Sequence, residues 1–264
     1  ADPQRGLAAL RSLRDEARAK GRLDGRLTVD EAECRVLTDV DSSRAIAVAD
    51  AGLAAAPPDP PSPAREPWLR LRACRAGMLV ETGEMAAGRA EFEALLVLTA
   101  QPADAAIHAL VLLERGVHRS RSGDWAIAQQ DLISACEQLK RQGPALDRDL
   151  CLGHLANHYQ RVGDIDEALQ LLQTLNDAAR QRGATFDSAI YSFGIGQNHQ
   201  ARRRWAEAIR SFDEASEANK RLGENVGMSY SEHATAYSLL KLGRVQEALD
   251  FAQRALDHLD RSAD

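Results

Sequence analysis

The side chains best suited to chemistry in this sequence are its histidines and cysteines. His154 and His158 stand four residues apart, which puts both imidazoles on one face of a helix. His118 lies forty residues before His158. Two histidines at this spacing can share a metal ion, but a zinc site needs three or four donors, and no carboxylate is aimed there. No metal site is assigned; packed or surface histidines are the expectation. Cys136 and Cys151 lie seven and eight residues either side of Gly143, so antiparallel helices meeting near that glycine would set the two sulfurs at similar height. A disulfide there requires a Cα separation below about 7 Å and would support an oxidising compartment. The alternative is two buried thiols. Cys34 and Cys74 read as core positions. Gly194-Ile195-Gly196 falls inside a helical pattern, where a small residue serves packing rather than a phosphate. No Ser/His/Asp arrangement has a recognisable context. The sequence therefore assigns no catalytic residue and no cofactor.

The elements that carry these residues recur. The stretch Arg161-Val162-Gly163-Asp164-Ile165-Asp166-Glu167-Ala168-Leu169 returns forty residues earlier around Gly123, forty later around Arg203 and eighty later around Gly243. A second series, Gly143, Gly183 and Gly223, keeps the same period. A fixed period of this size marks a repeat architecture. Gly163 ends one helix, because glycine enters the left-handed region without a Cβ clash. Asp164 is placed to cap the next helix, and Glu167 to complete a capping box. Ala128, Ala168, Ala208 and Ala248 supply a small residue for close helix approach. Basic residues such as Arg180 and Lys220 end each second helix, and a glycine stops it.

This pattern resembles the tetratricopeptide repeat in a forty-residue variant. Leu155, Ala156, Tyr159 and Gly163 match the large, small, large and turn-glycine positions of that family's helix A. Ala208, Phe212 and Ala215 match the small, large and small positions of helix B. Arg203 replaces the turn glycine of one repeat, Arg115 replaces a large apolar residue, and the usual proline after helix B is missing. The resemblance implies an all-α, right-handed α-solenoid of about six helix–turn–helix repeats plus an N-terminal helix. The chain reads as a single domain over 1–264, with irregular helices over 1–56, a proline-rich loop over 57–65 and regular repeats over 66–262. Pro57-Pro58-Asp59-Pro60-Pro61-Ser62-Pro63 cannot be helical, since proline lacks the amide hydrogen and restricts the residue before it. Asp41 or Ser42 is a plausible cap for the helix that precedes this loop.

The resemblance also places a concave face lined by A helices. It sets Asn157, Gln197 and Tyr237 in one row, Gly153, Phe193 and His233 in a second, and Gln160 and Gln200 in a third. Arg121, Arg161 and Lys241 fall at the rim. Amides beside aromatic rings and flanking cations suit an extended peptide, a protein segment or a small ligand with carbonyl and carboxylate groups.

The chain has 264 residues, of which 44% are hydrophobic, enough for a continuous core. Only 5% are aromatic, and the net charge of −6 is made of mixed signs. That balance gives no broad basic field for nucleic acid. No apolar run approaches the roughly 18 residues of a membrane span, so any membrane attachment would use a segment outside this chain. The start at Ala1-Asp2-Pro3 is of the kind left by removal of an export signal or by trimming. The final helix carries Leu249, Ala252, Ala255, Leu256 and Leu259 on one face, from which more chain or a homodimer through that helix is expected. Together these features are similar to helical-repeat sensor regions of bacterial membrane-bound diguanylate cyclases and histidine kinases. The expectation is a non-catalytic, periplasmic sensory module. The alternative is a cytoplasmic scaffold or the regulatory part of a transcription regulator, and an enzyme is the third reading.

Overall fold

Six glycines of the two forty-residue series, Gly83, Gly123, Gly163, Gly183, Gly223 and Gly243, have φ between +68° and +96°. Each lies at or just past a helix end, where the left-handed conformation turns the chain at no Cβ cost. Arg203 occupies the same place in its repeat and also has φ +56°. Gly143 departs from the series. It is extended, at φ −85° and ψ 156°, because the following Pro144 disfavours any other backbone for its neighbour.

The computed structural model describes residues 3–38 and 40–263. Among these residues the chain is all α, with no strand. The first helix, α1 (Pro3–Ala19), is followed by six pairs: α2 (Leu23–Leu37) with α3 (Ser42–Ala54), α4 (Arg65–Glu81) with α5 (Met85–Leu98), α6 (Ala105–Ser122) with α7 (Trp125–Gln142), α8 (Ala145–Val162) with α9 (Ile165–Gln181), α10 (Thr185–Ala201) with α11 (Trp205–Leu222), and α12 (Asn225–Lys241) with α13 (Val245–Ala263). A 3₁₀ turn, Pro102–Asp104, precedes α6. The helices form two compact units, Ala1–Cys151 and Leu152–Asp264, whose boundary falls inside α8.

In the first unit α1 is fastened to α2 by charge. Asp30 and Glu33 are buried, and Arg14 reaches both, with Nε 2.6 Å from Asp30 Oδ1. Arg44 adds a contact to Glu33 at 3.1 Å. Burial still raises the Asp30 carboxyl above its ordinary range, against the pull of Arg14. Asp41 caps α3 by accepting from the Arg44 amide. The proline-rich segment between α3 and α4 is non-helical, and Arg65 ties it down through Asp59 on one side and Asp104 on the other. Cys34 and Cys74 are buried, as core positions should be, but they are not separate thiols. They form a disulfide from α2 to α4 with Cα atoms 6.5 Å apart. Cys136 and Cys151 form a second, from α7 to α8, at 5.5 Å. Among the described residues no cysteine is free.

In the second unit small residues set the helix spacing. A Cβ on Gly196 would lie 2.5 Å from the ring of Phe212, which is fully buried. A Cβ on Gly227 would lie as close to Asn219. Ala156, Ile165, Leu169, Leu172 and Ile195 make one apolar cluster from α8, α9 and α10. Beside it Asn176 accepts from Ser188 at 2.7 Å and donates to Ser192 at 3.1 Å, so its buried amide is satisfied across the α9–α10 contact. The capping box expected at α9 is not made. Asp164 stands at the N-cap position, but at φ −79° and ψ 63° its carboxylate reaches no amide of the first turn. Asp124, its counterpart before α7, pairs instead with Arg89 at 2.8 Å. These aspartates serve their helices through charge at the positive end of the dipole, a smaller effect than a cap bond.

Candidate functional site

Helices α10 and α12 enter side by side, and their first two turns are apolar where they face out. Phe186, Ile190 and Phe193 on α10 are spaced four and three residues apart, which is one helical face. Val226 and Tyr230 on α12 repeat the pattern forty residues on. Together with Ala189 and Gly227 these residues line an open cleft of about 300 Å³, with Asn219, Glu224 and Ser231 supplying its few polar atoms. Four of the large side chains are strongly exposed: Phe186 57%, Ile190 52%, Val226 42% and Tyr230 62%. Exposed apolar side chains that are contiguous, rather than scattered, mark a contact surface.

Farther along the same helices the face turns polar. Gln197 and His233 are exposed. Tyr237 meets the Trp205 ring edge-on at 6.1 Å, and Lys241 Nζ stands 5.0 Å from the Tyr237 ring centroid. The half-exposed tyrosine ring is thus contacted by both an indole and a cation. On α8, Asn157 and Arg161 are exposed and Gln160 is half-buried.

Three residues from the sequence reading have other engagements. Gln200 donates to the Ala234 carbonyl at 3.0 Å and to the Ser238 hydroxyl at 2.8 Å, so its amide clamps α10 to α12. Phe193 is half-buried, because its ring packs on Phe212 at 5.3 Å, and only one edge reaches the cleft. Arg121 belongs to the first unit and is paired with Glu81. Of the histidines singled out by their spacing, His118 and His158 are packed and His154 is half-buried. His158 is 1% exposed, with Tyr159 beside it, and burial holds its imidazole below the ordinary range. His118 is buried against Phe92, with Nδ1 3.3 Å from Glu81. Among the described residues no group of three or more His, Cys, Asp or Glu side chains is arranged to hold a metal ion.

Sequence reasoning missed Phe186, Ile190, Val226, Tyr230 and Trp205. The signal was present: Phe186 and Val226, like Ile190 and Tyr230, are forty residues apart, two turns and one turn respectively before the second-row positions Phe193 and His233. Reading only the positions that the repeat family makes prominent left the helix N-termini unsearched.

Comparison with known proteins bears on the repeat fold. Tetratricopeptide repeat models match residues 187–261 and residues 151–184. They describe a repeat and name no reaction. Among curated proteins none matches. The fold is similar to that of BtubC (BKLC) from P. vanneervenii, with a TM-score of 0.68 at 11% identity over 100% of this chain and 93% of that one. It is also similar to a putative kinesin light chain with nearly identical TPR-like repeats from Podosopora anserina, with a TM-score of 0.63 at 16% identity over 74% of this chain and 96% of that one. A third likeness is to a Rap protein complexed with Competence and Sporulation Factor, with a TM-score of 0.60 at 13% identity over 91% of this chain and 67% of that one. At such identities the likeness concerns the fold alone. Residues 151–184 and 187–261 are tetratricopeptide repeats, and the chain that contains them is an all-α solenoid of helix–turn–helix units.

Proposed function

We propose that the second unit is a peptide-docking module. A bulky apolar side chain of the partner enters the cleft between Phe186 and Tyr230, and the adjoining backbone runs along Gln197, His233 and Tyr237 toward Lys241. The observation that carries this reading is the contiguous exposure of Phe186, Ile190, Val226 and Tyr230 around one cleft. The polar row beside it supplies hydrogen-bond donors and acceptors for an extended backbone, and Lys241 favours a carboxylate at the far end. From Tyr230 to Lys241 the helix advances about 16 Å, the span of about five extended residues.

The module is further proposed to work outside the cytoplasm, as the sensor region of a bacterial signalling protein of the diguanylate cyclase type. Two disulfides support an oxidising compartment, since thiols in the cytosol are kept reduced. A peptide library displayed on phage, panned against the protein, tests the docking reading directly. Enriched sequences should carry a large apolar residue, and Ile190→Glu with Tyr230→Glu should abolish their binding while leaving the helical circular dichroism intact. Libraries enriching equally on that double variant would sink it. The compartment is tested by fusing the gene, from its start codon through this chain, to a reporter active only after export.

A further inference from the structure

One polar side chain in the cleft between α10 and α12 is left without a bond. Asn219 is 8% exposed and lines the cleft, yet its side-chain amide bonds to no described residue. Its counterparts in the two preceding repeats are Leu139 and Ala179, both apolar and fully buried. Gly227, which meets it from α12, stands where those repeats carry Asp147 and Asp187. The amide lies so close over this glycine that a Cβ there would be 2.5 Å from Asn219 Oδ1. The two changes act together. One brings an amide to the buried side of an apolar cleft, and the other makes room for it.

A buried amide without a partner costs stability and is rare in a folded chain. Ser231, by contrast, donates its hydroxyl hydrogen to the Gly227 carbonyl at 2.9 Å. The cleft is formed by α10, α11 and α12 packed on one another, so it is not a face that awaits a further repeat. Its walls include the rings of Phe186, Phe193 and Tyr230. Aromatic walls favour an aromatic occupant, in edge-to-face or offset contact. The amide asks that this ring carry a polar tip. An indole N–H can bond only the amide oxygen, whereas a phenol hydroxyl donates to Oδ1 or accepts from Nδ2, whichever faces it.

We infer that the anchor of the docked peptide is a tyrosine, its ring between Phe186 and Tyr230 and its hydroxyl on the Asn219 amide. The inference rests on the docking reading above and narrows it. Asn219 is then the specificity-determining residue of the cleft: a phenylalanine in its place would cover the amide and leave it unpaired.

The test uses three acetylated pentapeptides with a free carboxylate, in which four serines follow tyrosine, 4-methylphenylalanine or phenylalanine. The methyl group has the shape of the hydroxyl without its hydrogen bonds. NMR titration of the full chain should find the tyrosine peptide bound at least about tenfold more tightly than its methyl analogue. Asn219→Ala should bring that ratio to about one, chiefly by weakening the tyrosine peptide, while the melting temperature stays at or above the parent's. Equal binding of the tyrosine and methyl peptides by the parent, with both lost in Ile190→Glu with Tyr230→Glu, overturns the inference and leaves the docking reading standing. So does a tyrosine preference that survives in Asn219→Ala, which would place the hydroxyl elsewhere. A lower melting temperature in that variant, with all three peptides weakened alike, overturns it by making the amide structural. If none of the three binds the parent, the docking reading fails and the inference with it.

Discussion

Arg203 shows how far a single residue can stray from its repeat before the fold yields. It holds φ +56° where its counterparts are glycine, and a side chain in that region carries a strain of the order of 1 kcal/mol. Arg203→Gly should therefore raise stability by up to about 1 kcal/mol, less the entropy that glycine adds to the unfolded chain; a urea melt reads the sign. Gly196 is the converse case. Gly196→Ala drives a methyl group into the fully buried ring of Phe212, and the cost should be about 1–3 kcal/mol. The histidines add a pH term. Burial depresses the imidazoles of His108, His158 and His199, with the Arg115 charge adding to the effect at His108. The folded state then prefers them neutral, so the unfolded state takes up more protons as the pH falls through 6.5. Stability is lost below that pH. Melting temperatures should drop between pH 7.5 and 5.5, and less so in a His199→Gln variant. Asp30 and Asp213, raised by burial, act with the opposite sign at lower pH.

At the scale of elements, the helix pairs could be read from the sequence and most of their fastenings could not. The period places Gly123, Gly163 and Gly243 at turns because only backbone geometry is at stake there. It failed at Gly143, where a neighbouring proline overrides the pattern, and at Asp164, where the N-cap residue was right and its hydrogen bond was not made. Of the groove residues read from the sequence, Phe193 lines the cleft, Gln197, His233 and Tyr237 are exposed farther along the same two helices, and Gln200 turned to α12 because its amide meets both the Ser238 hydroxyl oxygen and the Ala234 carbonyl. The α1–α2 fastening could not be foreseen, since nothing in the spacing of Arg14, Asp30 and Glu33 tells which helix faces will meet. Removing Arg14 takes the bonded cation from buried Asp30 and leaves Glu33 with Arg44 alone, so Arg14→Ala should cost about 3 kcal/mol. Protection of the α1 amides in hydrogen exchange should fall before that of α4 or α6.

For the molecule as a whole, the two disulfides are the feature on which the proposed compartment rests. Closing loops of forty and fifteen residues stabilises the fold by about 4 and 3 kcal/mol in the chain-entropy account. Reductant should lower the melting temperature markedly, and Cys34→Ser with Cys74→Ser should lower it more than Cys136→Ser with Cys151→Ser. Equal melts with and without reductant would remove the main support for an oxidising compartment. Only the nearer pair was visible in the sequence, because Cys136 and Cys151 share a glycine turn between adjacent helices. Cys34 and Cys74 are separated by a whole repeat, and their meeting depends on α2 lying beside α4, a packing fact rather than a spacing fact.

The Cys34–Cys74 bond also gives the chain a mechanical signature. Pulled from its ends, the oxidised protein cannot pay out the residues enclosed by its two bonds. Its full extension should fall short of the reduced protein's by about 180 Å. Because one bond encloses a whole repeat period, the loss should register in a force-extension trace as a missing rupture step about one helix pair long. A chain built this way carries a repeat that tension cannot open, and strain arriving from either end must be taken up by the repeats outside it.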